Sequence, residues 1–188
     1  LRLANDKLVE LEHQYWCGGA RPSIGQAQQA KLNLERVLVL ADELQHSFWL
    51  ATGSWSMTQA ATCLGEWESA RQHSDRGLEL FPNDCRNLAV RMQVAVEMGE
   101  FEQGKRYMES LVRSVRMSPR GPNTENMVAA LGIPLFNRIT GGADQLDAAQ
   151  DATNALLSAD NCSTAVRWGA MAGSALSYIR QGDTSAST

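Results

Sequence analysis

An internal repeat constrains the fold of this chain more than any other feature. The segment LGEWESA at residues 64–70 is matched by MGEFEQG at residues 98–104, so that a glycine, an acidic residue, an aromatic residue and a small residue recur in register. Leu78 and Val112 extend the match at the same spacing. A fixed period of about 34 residues is typical of proteins that stack copies of one supersecondary unit.

The residue types predict that each repeat is a pair of antiparallel helices. Ala, Leu, Glu, Gln and Arg recur along the chain, and no stretch alternates strictly between β-branched and polar residues. Gly65 and Gly99 are placed to end the first helix of each pair in a left-handed turn, and Glu66 and Glu100 suit the positive N-terminal end of the second helix. Pro82 should stop the second helix of the first pair. The chain is therefore predicted to be all-α.

Glycine-led segments on either side continue the pattern with a longer spacing. The interval from Gly25 to Gly65 equals the interval from Gly142 to Gly182, and both exceed the interval from Gly65 to Gly99. We interpret residues 1–188 as a single domain of helical hairpins whose connections vary in length. The domain is expected to be part of a longer polypeptide, since the chain begins at Leu1 in the middle of a helical pattern. Removal of a leader is the alternative explanation.

The segment at residues 116–124 interrupts the period with two prolines. It is interpreted either as a longer connection between hairpins or as one lip of a binding groove. Asn123 or Thr124 can cap the helix that follows. Pro134 should kink that helix or end a short one.

Charge and hydropathy exclude two classes of partner. The 17 Lys and Arg residues against 21 Asp and Glu residues give a net charge of −4, so no overall basic charge attracts nucleic acid or anionic lipid. The apolar runs are far shorter than the roughly 20 residues that cross a bilayer. We expect a cytoplasmic protein that binds neither nucleic acid nor membrane directly.

The four cysteines predict free thiols rather than a metal site or a disulfide framework. No Cys-x-x-Cys pair occurs, and only His13 stands close to a cysteine, four residues before Cys17. Such a pair supplies half of a zinc site at most.

The chain also lacks the motifs of common catalytic and cofactor sites. Gly99, Gly104 and Lys105 fit part of a phosphate-binding loop, but Arg106 stands where Ser or Thr is required. No Gly-x-Ser-x-Gly sequence provides a nucleophile. We expect neither catalytic residues nor a cofactor, and a helical enzyme is the third of three alternatives for the function.

The pattern Gly-x-aromatic-x-x-Ala, followed by a Leu-rich stripe and Pro and repeated at the spacing of Gly65 and Gly99, resembles the tetratricopeptide repeat. Residues 37–51 (VLVLADELQHSFWLA), with residues 64–82 and 121–141, are similar to the tetratricopeptide-like region of large bacterial regulators. The resemblance implies a right-handed superhelix of antiparallel helical hairpins. In such regulators these repeats stand beside a nucleotide-switching ATPase module and a LuxR-type DNA-binding domain, or beside a nucleotide cyclase domain.

In tetratricopeptide proteins the first helices of the hairpins line a concave groove, and the resemblance assigns residues to it. With Gly65 at the turn of the first hairpin, the residues expected on the inner face are Trp55, Gln59, Arg86, Gln93 and Glu97. An aromatic ring, an arginine and amides could hold a peptide backbone or a polar small molecule. A place for Trp55 in the core is the alternative. Phe48 and Trp49 are expected to fill the seam between neighbouring hairpins.

The predicted function is a non-catalytic sensor or regulatory domain of a bacterial signalling or transcription-regulatory protein. Its partner would be a protein, a peptide or a small-molecule effector. The alternative is a stand-alone adaptor that holds a peptide or protein in the same groove and carries no switch.

Overall fold

A computed structural model describes residues 2–19, 25–119 and 121–181, and within these ranges every regular element is an α-helix. The nine helices of this part of the chain are α1 (Arg2–Gly19), α2 (Ala27–Glu43), α3 (Ser47–Cys63), α4 (Trp67–Leu80), α5 (Cys85–Glu97), α6 (Phe101–Met117), α7 (Thr124–Thr140), α8 (Leu146–Leu157) and α9 (Thr164–Gln181). The all-α prediction is confirmed for these residues. No helix among them combines the length and the apolar composition that a bilayer crossing requires.

The chain divides into two compact units, Leu1–Val94 and Ala95–Thr188, which we name the N-terminal unit and the C-terminal unit. The division falls inside α5. That residues 1–188 form a single repeat domain, and that its hairpins form a superhelix, stay predictions. The helix pair expected to begin at Gly182 lies outside the described residues.

In the N-terminal unit, α1 packs against α2, α2 against α3, and α3 against α4. One apolar cluster joins α1, α2 and α3 through Leu11, Val37, Leu40, Ala41 and Leu50. A second cluster joins α2 and α3 through Ala30, Leu34, Met57 and Ala60. Each fully buried Leu contributes roughly 1.5–3 kcal/mol relative to an exposed one, so these clusters hold the unit together.

The turns that follow α3 and α5 stand at equivalent positions of the repeat and have the same backbone geometry. Gly65 and Gly99 both adopt the left-handed conformation, with φ of 72° and 76°. In each turn the next residue, Glu66 or Glu100, donates its N–H to the carbonyl five residues earlier, at 3.0 and 2.7 Å. This is the Schellman arrangement, which satisfies carbonyls at the end of a helix. The predicted left-handed glycine turns are confirmed.

The second helix of each predicted pair begins at a matched position. Trp67 is the first residue of α4, and Phe101 is the first residue of α6. Ala70 and Gly104, three residues further on, are both buried. Helix α4 ends two residues before Pro82, as the sequence predicts.

The turn between α2 and α3 has the same form without a glycine. Gln45 takes the left-handed position with φ of 50°. The N–H of His46 donates to the carbonyl of Ala41 at 2.9 Å, and the side chain of Gln45 donates to the carbonyl of Asp42 at 2.8 Å. No residue in this segment indicates the turn type beforehand, because glycine is its usual marker.

In the C-terminal unit, α7 packs against α6, α8 and α9, and α8 also packs against α9. The largest side chains buried in this unit are Met108, Leu111, Ile133, Phe136 and Leu156. Asn123 caps α7, since its Oδ1 accepts a hydrogen bond from the backbone N–H of Asn126 at 2.9 Å. Of the two predicted capping residues, Asn123 is therefore the one used.

Pro134 is buried inside α7, which continues to Thr140. The proline therefore does not end the helix. Proline has no N–H to donate to the carbonyl of Ala130, four residues earlier. Gly173 of α9 lies against that same carbonyl, because a Cβ atom built on Gly173 would stand 1.8 Å from the oxygen of Ala130. Only glycine allows α9 to approach the backbone of α7 this closely.

Candidate functional site

Helix α3 leaves only a narrow part of its surface accessible, because α2 and α4 both pack on it. Phe48 and Cys63 are exposed at its two ends, and Trp55 and Gln59 are half-buried between them. Their spacings of seven, four and four residues place these side chains on one helix face. We name Phe48, Trp55 and Gln59 the α3 stripe.

Arg86, in the first turn of α5, lies over the α3 stripe. Its guanidinium carbon is 5.9 Å from the centre of the Phe48 ring and 5.5 Å from the centre of the Trp55 ring. A cation over an aromatic face is attracted by the negative potential of the ring, and the attraction grows when the pair is partly removed from water. Arg86 therefore connects the two aromatic residues of the stripe.

Asp84 fixes the position of the Arg86 side chain. Its Oδ2 accepts hydrogen bonds from Nη2 of Arg86 at 2.9 Å and from Nε at 3.3 Å. Its Oδ1 accepts from the backbone N–H of Asn87 at 2.9 Å, which is the usual interaction of a helix N-cap. One carboxylate thus both starts α5 and holds the guanidinium over the stripe.

The environment keeps Arg86 charged. Burial works against the charged form, but the hydrogen bond to Asp84 and the negative charge of that carboxylate outweigh it, so the pKa of Arg86 is raised above its ordinary value. Asp84 balances the charge of the guanidinium, and together the two side chains carry no net charge.

Asn87 supports this pair from inside the unit. Its side chain is fully buried, and Nδ2 donates to Oδ1 of Asp84 at 3.2 Å and to the carbonyl of Ala51 at 3.5 Å. Gly77 of α4 faces the amide, since a Cβ atom on Gly77 would stand 2.2 Å from Oδ1 of Asn87. The missing side chain at Gly77 gives the amide the room it needs to hold Asp84.

An open pocket of about 370 Å³ lies where α4 ends and α5 begins. We name it the α4–α5 pocket, and it is lined by Phe48, Phe81, Pro82, Asn83, Asp84 and Arg86. Phe48 is 49% exposed and Phe81 is 41% exposed, so both rings have faces that the fold leaves uncovered. A concave surface of this size with apolar walls and few polar groups is typical of small-ligand sites.

A second open pocket, of about 580 Å³, lies in the C-terminal unit beside the connection between α6 and α7. It is lined by Gly121, Pro122, Asp151, Asn154, Ala155, Ser158 and Ala159. The five residues predicted for the groove do not line this pocket, but Gly121 and Pro122 belong to the segment at residues 116–124, which is one lip of a groove in one of its two interpretations.

The structure brings together part of the predicted groove. Trp55 and Arg86 are in contact, and Gln59 lies one turn beyond Trp55 on the same face of α3. Gln93 is exposed on α5, two turns after Arg86 and on the same helix face. Glu97 is also exposed, but it belongs to the C-terminal unit. That all five residues line one groove stays a prediction.

Sequence reasoning missed Phe48, Phe81 and Asp84 as residues of the site. Trp49 packs edge-on against Tyr15 of α1, with ring centres 5.2 Å apart, and Phe48 is 49% exposed and lines the α4–α5 pocket. The position of Phe48, seven residues before Trp55, was the available signal, because that spacing shares a helix face. For Phe81, which follows the last residue of α4, no such signal exists.

The cysteines do not form a site with the histidines in the described part of the chain. Within residues 2–19, 25–119 and 121–181, no group of three or more His, Cys, Asp or Glu side chains is arranged to hold a metal ion. Cys17 Sγ lies 3.7 Å from Nε2 of His13, the one neighbouring pair that the sequence indicates.

Comparisons with known proteins add no family to this description. No protein-family model matches the chain, and no curated protein matches it significantly. The function is therefore argued from the α3 stripe, Arg86 and the α4–α5 pocket.

Proposed function

We propose that this chain is a non-catalytic recognition domain, a sensor within a regulatory protein, and that it binds its effector on the α3 stripe beside Arg86. The observation that carries the proposal is the contact of Arg86 with two aromatic rings that remain accessible. Accessible aromatic residues and arginines are enriched where proteins bind partners, because they offer large contact areas and directed hydrogen bonds.

The polar groups of the stripe support binding. The indole N–H of Trp55 and the amide of Gln59 make no hydrogen bond with the described residues, although both side chains are half-buried. These groups have no hydrogen bond within the protein that must break before they bond to a ligand. A peptide backbone or a small polar molecule offers the complementary atoms.

The residues of the site favour binding over catalysis. The side chains that line the α4–α5 pocket and the α3 stripe include no serine, cysteine or histidine that could act as a nucleophile or a general base. The carboxylate of Asp84 is bonded to the guanidinium of Arg86 at 2.9 Å. A mutually bonded ion pair of this kind is suited to positioning a ligand.

The resemblance to tetratricopeptide-like regions of bacterial regulators supplies the regulatory part of the proposal. A ligand shifts a regulator between two states only through its differential affinity for them. In the parent protein, effector binding on the α3 stripe would therefore favour one arrangement of the neighbouring modules.

The test is a ligand screen, and variants of the α3 stripe then show which of the ligands found bind at this site. Metabolite and peptide collections are screened by thermal shift on the whole chain, since a ligand that binds the folded state raises its melting temperature. Each compound found is then titrated calorimetrically. Small-molecule binding supports the sensor, and peptide binding alone supports the adaptor in its place.

Gln59→Ala should weaken the binding of a true ligand by about 2- to 10-fold, which corresponds to the loss of one hydrogen bond. Gln29→Ala is the matched control, because Gln29 is an exposed glutamine on α2, outside the stripe. Equal effects of the two substitutions would contradict the proposed location of the site.

A further inference from the structure

We propose that the α4–α5 pocket selects one class of ligand, an uncharged planar aromatic ring system with a hydrogen-bond acceptor on its edge. This inference rests on the proposed function and specifies the chemistry that the site recognises. Three properties of the pocket carry it: the aromatic walls, the internal charge balance and the one nitrogen of Arg86, Nη1, that makes no hydrogen bond with the described residues.

The apolar walls are two half-exposed phenylalanine rings and a proline, at Phe48, Phe81 and Pro82. The Phe48 ring is held in place by edge contacts with Trp49 and His46, with ring centres 5.5 and 6.4 Å away. A wall that is already ordered costs little conformational entropy on binding. A flat ring gains most from such a wall, because it covers apolar surface and makes offset or edge contacts with aromatic rings.

The charge balance of the pocket disfavours charged ligands. Asp84 and Arg86 are the charged residues that line it, and they are 2.9 Å apart. A ligand carboxylate would be repelled by Asp84 and an ammonium group by Arg86. To free the Nε and Nη2 edge of Arg86 for a two-point contact with an anion, Asp84 would have to move, and the N–H of Asn87 at the start of α5 would lose its acceptor. An uncharged ligand avoids both penalties.

Arg86 retains one donor group for the ligand. Its Nε and Nη2 are directed to Asp84, and Nη2 also lies 3.5 Å from Oγ1 of Thr52. No hydrogen bond of Nη1 is present among the described residues. A carbonyl or ring acceptor on the ligand satisfies it. A sugar fits poorly, because the hydroxyls that face Phe48, Phe81 and Pro82 would leave water for apolar walls that offer them no partners.

The probe for this inference is 2-quinolone, a neutral bicyclic ring with one carbonyl, titrated into the whole chain by calorimetry and ligand-observed NMR. We expect saturable binding. The anion 2-naphthoate, the cation 2-naphthylmethylammonium and glucose should each bind at least about 10-fold more weakly, a difference of about 1.4 kcal/mol. Equal or tighter binding of any of these three would overturn the inference, as would the absence of 2-quinolone binding at millimolar concentration.

The same ring chemistry can come from a free metabolite or from an aromatic side chain of a partner. The peptide acetyl-Gly-Tyr-Gly-amide is therefore titrated in parallel. Tighter binding of 2-quinolone indicates a free ring compound, and tighter binding of the tyrosine peptide indicates a side chain. Either result supports the inference, provided that the binding depends on the pocket.

Dependence on the pocket is measured with phenylalanine variants. Phe48→Ala should weaken binding of the probe by about 10-fold through lost ring contact, and Phe48→Leu, which keeps an apolar wall, should weaken it less. Phe101→Ala is the matched control, since Phe101 is 50% exposed and lies outside the pocket. A similar loss in Phe101→Ala would overturn the assignment to this pocket.

The two proposals can fail separately. If 2-quinolone does not bind but the screen yields a ligand that depends on Gln59, the inference about aromatic ligands is wrong and the proposed function stands. If the screen yields no ligand that depends on Gln59 but 2-quinolone binds and depends on Phe48, the placement of the effector on the α3 stripe is wrong and the selectivity of the α4–α5 pocket for aromatic rings stands.

Discussion

At the scale of single residues, His73 of α4 links the stability of the protein to pH. Its burial, and then the positive charges of Lys31 and Arg76, hold the pKa of His73 below its ordinary value of 6.5. The unfolded chain therefore takes up a proton on this residue at a higher pH than the folded chain does. The stabilisation is complete above about pH 6.5 and is lost as the pH falls from there towards the lowered pKa.

We expect the wild-type chain to lose stability relative to His73→Gln as the pH is lowered from about 7.5 to about 5.5, because glutamine does not titrate there. The measurement is the free energy of unfolding in urea at several pH values. Groups common to both chains cancel in the difference. A difference that does not change with pH would show that folding does not perturb this histidine.

Gly77 is the second residue with a direct prediction. A methyl group there would stand 2.2 Å from Oδ1 of Asn87, and the hydrogen bonds of that amide to Asp84 and Ala51 keep it from moving aside. Gly77→Ala should therefore lower the free energy of unfolding by roughly 1–3 kcal/mol, the usual cost of overpacking.

Asn87→Ala separates this clash from other effects of Gly77→Ala. The double variant should lose less stability than the sum of the two single variants, because the atom that the new methyl group meets is gone. Strict additivity in urea unfolding would argue that the Gly77–Asn87 contact is not the cause.

At the scale of helices and turns, the residues that follow α2, α3 and α5 test the rule that a left-handed backbone favours glycine. Gly65 and Gly99 have left-handed backbones, and a Cβ atom built on either has no neighbour within 4 Å. Replacing either with alanine should cost about 1–2 kcal/mol from backbone strain alone. Gln45→Gly should have the opposite effect and stabilise the chain by up to about 1 kcal/mol. Thermal unfolding measures all three variants, and an unchanged melting temperature for Gly65→Ala would contradict the rule.

The crossing of α9 over α7 provides a matched pair of glycines on one helix. Gly173→Ala places a methyl group against the backbone of Ala130 and should cost about 3 kcal/mol, since a backbone atom cannot yield as a flexible side chain does. Gly169, one turn earlier, has nothing within 4 Å. Gly169→Ala should therefore be neutral or stabilise the helix by about 0.5–1 kcal/mol. Urea unfolding distinguishes them, and equal effects would refute the close crossing.

These elements also show which parts of the fold can be predicted from sequence. The helix starts at Trp67 and Phe101 and the turns at Gly65 and Gly99 were predictable, because glycine, acidic and proline residues act on their own backbone neighbourhood. The turn at Gln45 was not, since glutamine has no preference for that conformation. Helix α7 passes Pro134 without ending there, a result that depends on its burial against other helices.

At the scale of the whole molecule, the candidate site was predictable only in part. The repeat register placed Trp55 and Arg86 on matching helix faces, and the two side chains are in contact. The α4–α5 pocket was not predictable, because its walls come from separate places in the sequence. The short connection after α4 brings Phe81 and Asp84 beside Phe48, and nothing in the composition of these segments indicates the pairing.

The net charge of the whole chain makes a prediction about solution behaviour. The chain carries a charge of −4 at pH 7 and has an isoelectric point near 5.4, so repulsion between molecules is weakest at that pH. Trp16, Met117 and Trp168 are largely exposed and can then associate. We expect light scattering to report larger particles near pH 5.4 than at about pH 8 in the same buffer. Equal scattering at the two pH values would mean that charge does not limit association.

The position of Gly173 beside the backbone of α7 has a consequence for how this protein can evolve. Pro134 leaves the oxygen of Ala130 without its usual donor, and the glycine on a separate helix is the residue that fits against that oxygen. A residue larger than glycine at 173 has no space beside the oxygen of Ala130, and a residue with an N–H at 134 would give that oxygen its usual donor again. The two sites are neighbours in space although a whole helix, α8, separates them along the chain, so we expect the residue at one to affect which residues fit at the other.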